Sequence, residues 1–155
     1  MSSLNYVVGD ATKPIGDGIK IIPHICNNKR CWGRGFVLAL RAVWPDSEQD
    51  YKRMIQELGQ VSIFKAEPDI YVANMIAQDG IQSALNPHPI RYEVLKDTLE
   101  SVAMFAKQNK ASVHMPRIGS GLAGGSWEVI EEIIKDVLVD EGIEVTVYDL
   151  PSEVK

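Results

Sequence analysis

The sequence predicts an α/β protein of three layers, with a mixed, mostly parallel sheet between two layers of helices. Three observations carry this. Short apolar, β-branched runs alternate with segments whose apolar residues recur at helical spacing. QVSIFKA and DIYVANMIA are separated only by a Glu67-Pro68-Asp69 turn, which gives one antiparallel hairpin. Strand-to-helix junctions at 31–35 and 119–125 are rich in glycine, where a backbone without side chains can close around something.

The elements follow in order. LNYVV (4–8) reads as a strand and GDATKPIGDG as a loop. KIIPHIC (20–26) is a buried strand in which Pro23 implies a sheet edge or a bulge. Gly35 to Val43 has helical spacing. Asp46 or Ser47 then caps a second helix that carries Tyr51, Met54, Ile55 and Leu58 on one face and ends at Gly59. After the hairpin and a loop at 79–90, Tyr92, Leu95, Leu99, Val102 and Ala106 trace a long helix. SVHMPRI (112–118) is a strand. Ile130, Ile133, Ile134, Val137 and Leu138 mark a helix capped by Ser126 and closed by Gly142, and EVTVYDL (144–150) is the final strand. Residues 1–155 are expected to form one domain with no repeat or linker.

Composition narrows the class. Of 155 residues, 45% are hydrophobic and 24% charged, the balance of a soluble globular chain, and no apolar run approaches a membrane span. MSSLNYVVGD lacks the basic region and apolar block of a signal peptide, and Cys26 and Cys31 are too few for a disulfide scaffold, so the expected compartment is the cytoplasm. A net charge of −5 argues against general binding to nucleic-acid backbone. It leaves room for a small anion, because backbone N–H groups hold phosphate whatever the global charge.

Gly119-Ser120-Gly121-Leu122-Ala123-Gly124 matches G-x-G-x-x-G between a strand and a helix, the context in which glycines admit a diphosphate. A nicotinamide or flavin domain is disfavoured, since that fingerprint normally opens a doubly wound unit and only 31 residues follow Gly124. Cys31-Trp32-Gly33-Arg34-Gly35 is a second such loop, and two of them can close on one diphosphate. Asp10 either caps a turn or accepts from an exocyclic amine. His24, Asn27 and Asn28 crowd the end of an apolar strand, where ligands of open α/β sheets bind. Cys26, Cys31 and His24 lack a fourth ligand and any standard zinc spacing, so no metal is expected and both thiols are taken as buried.

Together GDAT, HICNNKRCWGRGFVLAL and MPRIGSGLAGGSWEVIEEII resemble the macrodomain family of ADP-ribose-binding modules, in order and over nearly the whole chain. The likeness is to the branch holding ADP-ribose-1″-phosphate phosphatases and the terminal ADP-ribose protein glycohydrolase. It implies that Asp10 accepts from adenine with Ala11 beside it, and that Tyr148 borders the adenine pocket. The diphosphate would lie between Trp32, Gly33, Arg34 and Gly35 on one side and Gly119, Ser120, Gly121, Leu122 and Ala123 on the other. Asn28, with Asn27 or His24 behind it, would face the distal ribose.

The glycohydrolase branch uses a lysine and an aspartate where this chain has Gln78 and Ala123. Neither can form a lysine adduct or act as a charged acid or base. The resemblance therefore implies a metal-independent hydrolase without a cofactor. It would remove phosphate from ADP-ribose-1″-phosphate, or ADP-ribose from an acidic side chain of a modified protein. His24, Gln78 or Asp79 would orient or deprotonate the water, and Asn28 would position the sugar. The alternative is a non-catalytic reader of ADP-ribose or of ADP-ribosylated partners; nucleotide-cofactor oxidoreduction is a third reading.

Overall fold

The computed structural model describes residues 4–121 and 123–151. Six strands form one sheet: β1 (Leu4–Val8), β2 (Lys20–Asn27), β3 (Val61–Glu67), β4 (Ile70–Gln78), β5 (Ser112–Met115) and β6 (Val145–Asp149). Their order across the sheet is β1-β6-β5-β2-β4-β3, and only β3 runs antiparallel, as the second limb of the hairpin with β4. Helices α1 (Phe36–Val43) and α2 (Asp46–Lys52) cover one face; α3 (Tyr92–Asn109) and α4 (Trp127–Val137) cover the other. The three-layer α/β/α architecture is the one expected from the alternation of patterns.

Side-chain alternation builds the layers. In β2, Ile21 belongs to the core under α3 and α4, whereas its neighbour Ile22 belongs to the smaller core under α1 and α2. In β4, Ala73, Met75 and Ala77 face the first core and Val72 and Ile76 the second. On α4, Ile130, Ile134 and Val137 are buried at spacings of four and three, the stripe that docks a helix on a sheet. No helix among the described residues is long and apolar enough to cross a membrane.

Several boundaries differ from the sequence reading. Strand β2 is interior, between β5 and β4, so Pro23 does not mark an edge of the sheet. The ladder to β5 covers only Lys20 and Ile21, so β2 and β5 part before the proline, while the ladder to β4 continues through Pro23↔Ala73 and shifts register between Cys26 and Asn27. Neither Asp46 nor Ser47 caps α2; Pro45 holds the cap position, and Ser47 Oγ donates to the Trp44 carbonyl at 2.7 Å. That helix stops at Lys52, because the Gln56 amide takes the carbonyls of Tyr51 and Met54, both at 3.3 Å, and folds the chain back. Strand β5 ends at Met115, where Pro116 has no N–H to extend the ladder. Ser126 stands at the start of α4 without a side-chain cap bond. Helix α4 ends at Val137, and Gly142 (φ 85°) closes a separate 3-10 turn at Val139–Glu141.

Candidate functional site

The parting of β2 and β5 creates the site. After β2 the chain turns toward α1 and α2 on one face, and after β5 it leaves toward α4 on the other. Adjacent parallel strands whose exits diverge leave a crevice at their carboxyl ends. A groove of about 870 Å³ lies there, with the two glycine loops, 31–35 and 116–121, as opposing walls. It runs along the carboxyl edge from Gly9–Ala11 and Tyr148 to Gln78–Gln82. That path crosses four strand spacings, roughly 19 Å at about 4.8 Å each. A smaller hollow of about 370 Å³ lies near the opposite strand ends, lined by residues such as Asp17, Lys110 and Glu144.

The glycines divide by what surrounds them. A Cβ on Gly124 (φ 73°) would sit 2.4 Å from the Pro87 carbonyl oxygen, and one on Gly125 would sit 2.6 Å from the Gly119 carbonyl oxygen. At Gly119 (φ 75°) it would meet the tips of Ile90, Ile130 and Ile25 within 2.9 Å. These three pack the loop against the body of the protein. Gly33 and Gly121 face nothing within 4 Å and lie on opposite walls of the groove. Only this second pair keeps main chain open to a ligand. The start of α4, including Gly124 and Ser126, does not line the groove, and Ser126 N–H donates to Tyr92 Oη at 2.8 Å. The anion-binding capacity of that wall therefore lies in the loop, not in the helix terminus. Leu122 lies outside the described residues.

At the β1–β6 end, Asp10 does both things weighed for it. Its Oδ1 accepts from Thr12 N–H at 2.8 Å and Thr12 Oγ1 at 2.7 Å, which shapes the turn. Its Oδ2 accepts no hydrogen bond among the described residues, and the residue lines the groove beside buried Ala11. The Tyr148 ring is buried nearby, its hydroxyl accepting from Ile15 N–H at 3.0 Å and lying 2.7 Å from His114 Nδ1. Burial, assisted by Lys20, lowers the His114 pKa to about 4, so its imidazole is neutral at pH 7.

Arg117, absent from the expected residues, joins the wall here. Asp149 holds it through Nε (2.7 Å) and Nη2 (3.0 Å), and its guanidinium carbon lies 5.0 Å from the Tyr6 ring centroid. Its place inside the quoted PRIGSGL run was the one available signal. Arg34 and Arg117 against Asp10 make the charged wall locally basic despite the net −5.

Across the middle, the first loop is fixed from below. Arg41 Nη2 donates to the Trp32 carbonyl at 2.6 Å while its Nε holds Glu48 at 2.7 Å. The Trp32 ring is buried edge-on against His24, with centroids 5.2 Å apart. Gly35 (φ 81°) begins α1 in a conformation that a side chain rarely adopts. Ser120 Oγ donates to the Arg117 carbonyl at 2.9 Å, and buried Ala123 accepts from Ile90 N–H at 3.1 Å.

The β2–β4 end departs most from expectation. His24 is only 2% exposed. Asn74 spends its amide N–H groups on the Ser47 carbonyl and Asp50 (both 3.1 Å), so its oxygen faces His24 Nε2 at 2.5 Å and that nitrogen carries the proton. Burial lowers the His24 pKa to about 4. A base that weak and that enclosed cannot deprotonate a water in the groove, so the catalytic role expected of His24 is withdrawn. Asn27 is consumed by its own loop: Oδ1 accepts from Lys29 and Cys31 N–H groups, and Nδ2 donates to the Cys31 carbonyl at 3.0 Å.

Asn28 and Asp79 do not line the groove; they bond each other (Nδ2 to Oδ1, 3.1 Å), and Asn28 Oδ1 accepts from Gly80 N–H at 2.8 Å. Their expected contacts with sugar and water are replaced by a tie between two loops. Gln78 does line the groove. So do Gln82, Ile81 and Phe36, which the sequence did not single out, because a loop glutamine and the first apolar residues of a helix look ordinary. Cys26 is buried, with its thiol pushed up by desolvation, but Cys31 is exposed on the wall, contrary to the expectation for both thiols.

Comparison with known proteins places this geometry in a family. A macrodomain protein from Streptomyces coelicolor is 44% identical, with a TM-score of 0.81, over 95% of this chain and 99% of that one. The chain is a macrodomain. A Bacteroides thetaiotaomicron protein of unknown function is 48% identical with a TM-score of 0.90, over 96% of this macrodomain and 99% of that chain. Among curated relatives, the Danio rerio chromodomain-helicase-DNA-binding protein 1-like is 32% identical over 160 residues. That match takes in 95% of this macrodomain but only 16% of the relative's length. An ADP-ribose 1″-phosphate phosphatase of Candida albicans is 26% identical over 144 residues, 86% of this macrodomain and 92% of the enzyme. No protein-family model matches.

Proposed function

We propose that this macrodomain binds ADP-ribose along the groove, with adenine at Asp10, the diphosphate between Gly33 and Gly121, and the distal ribose toward Gln78 and Gln82. The observation that carries this reading is the order of chemistry along the carboxyl edge of the sheet. An acceptor beside a buried aromatic comes first, two side-chain-poor walls bearing arginines come next, and neutral amides come last. That order is the order of parts in the ligand, and the volume lies in the range of small-molecule sites. Calorimetric titration with ADP-ribose tests it. Asp10→Asn, which keeps an oxygen for Thr12, should weaken binding without loss of fold. A wild-type protein that shows no saturable heat with ADP-ribose would refute the reading.

The phosphatase relatives support a further step, hydrolysis of a group carried by the distal ribose. Such a reaction here would rest on a water positioned by Gln78 near the bound diphosphate, with loop N–H groups stabilising negative charge. A second reading, a binding-only module for ADP-ribose on a partner protein, is favoured by one observation. Among the described lining residues, no ionised base stands at the Gln78–Gln82 end. Incubation with ADP-ribose-1″-phosphate and with a Glu-ADP-ribosylated peptide, each with and without EDTA, separates the two. Turnover unaffected by the chelator supports the hydrolase; binding without turnover of either substrate supports the reader.

A further inference from the structure

The far end of the groove has a polar inventory that can be worked through atom by atom. Of the polar side chains that line it there, Asn27 has both amide groups engaged and His24 donates its proton to Asn74. Gln78 and Gln82 remain. Gln78 Nε2 donates to the Gly80 carbonyl at 3.1 Å and Gln82 Nε2 to the Pro87 carbonyl at 3.2 Å. Neither amide can be turned over, because its oxygen would then face a carbonyl oxygen. Each Oε1 accepts no hydrogen bond among the described residues. Both residues are half-buried.

We infer that Gln78 and Gln82 form a pair of fixed carbonyl acceptors that read hydroxyl groups of a neutral sugar at the end of the bound nucleotide diphosphate. A carbonyl oxygen on an orientation-locked amide accepts O–H donors and repels anions, so the pair selects a polyol over a terminal phosphate. Asn28 acts behind them as a positioning residue. It takes Gly80 N–H and Asp79 Oδ1, and so holds the 79–82 segment that carries Gln82 into the wall. The assignment rests on the nucleotide-binding reading of the groove.

Paired titrations with ADP-ribose and ADP test it, in the wild type and in Gln78→Met and Gln82→Met. In the wild type ADP-ribose should bind more tightly than ADP. Each variant should narrow that gap by about two- to tenfold, the range of one neutral hydrogen bond, with ADP affinity held within about twofold. Equal wild-type affinity for the two ligands would overturn the sugar-reading pair and leave nucleotide binding intact, even if neither variant folds. Parallel loss of both ligands in the variants would also overturn it, by making the glutamines supports of the loop alone. No wild-type binding of either ligand would defeat the groove reading itself, and the inference with it.

Discussion

Two glycines three residues apart should respond to the same substitution in opposite ways. Gly124 does not line the groove; it adopts φ 73°, and a Cβ there would stand 2.4 Å from the Pro87 carbonyl oxygen and 2.9 Å from His88 Nδ1. The left-handed backbone costs an alanine about 1–2 kcal/mol, and displacing a backbone carbonyl adds about 1–3 kcal/mol of overpacking. Gly124→Ala should therefore lose about 2–5 kcal/mol, roughly 5–15 °C in melting midpoint for a chain of this size.

Gly121 lies outside the left-handed region, with nothing within 4 Å of its added carbon. Gly121→Ala should stay within about 1 kcal/mol of the wild type in stability. Its methyl instead occupies the approach to a main-chain amide and should weaken ADP-ribose by about fivefold or more. Urea unfolding and calorimetry on both variants read the contrast. A Gly124→Ala protein as stable as the wild type would refute the packing argument. Undiminished ADP-ribose affinity in Gly121→Ala would refute the claim that this wall meets the diphosphate.

Two further outcomes follow from buried groups. His24 and His114 stay neutral in the fold with pKa values lowered to about 4, whereas the unfolded chain protonates them near 6.5. The unfolded state therefore binds more protons between those values, and stability falls as pH drops from about 6.5 toward 4, by on the order of 3 kcal/mol for each histidine. Urea midpoints at pH 7 and 4.5 should show the loss, His114→Gln should reduce it, and a flat profile would contradict the burial argument. Thiol alkylation should label exposed Cys31 first and leave buried Cys26 protected until unfolding. ADP-ribose should slow labelling of Cys31, since that residue lines the groove; an unchanged rate would place the ligand elsewhere.

Much of the molecule was legible in order along the chain. Alternation of Ile21 and Ile22, the helical stripe Ile130–Ile134–Val137 and the hairpin turn at Pro68 are local patterns, and local patterns specify elements and layers. Gly33 and Gly121 were legible as candidates for the same reason, since a strand–glycine–helix junction is a property of a short segment. Helix ends were less so. Asp46 and Ser47 read as caps by residue type, but whether a side chain caps depends on where the chain arrives from, and here Pro45 arrives already helical.

The sequence by itself determined the family of architecture and the two loops that bound the groove, because periodicity, turn chemistry and glycine placement act over a few residues. Only the tertiary structure decided which side chains are free to meet a ligand. Asn27, Asn28, His24 and Asp79 all carry suitable chemistry, yet their partners come from β4, α2 and the 79–90 loop, far away in the chain. Gln82 and Arg117 carry no special signal and reach the groove because distant elements hold them there. A hydrogen bond made to a remote residue removes a group from function as surely as a substitution would, and spacing along the chain does not record it.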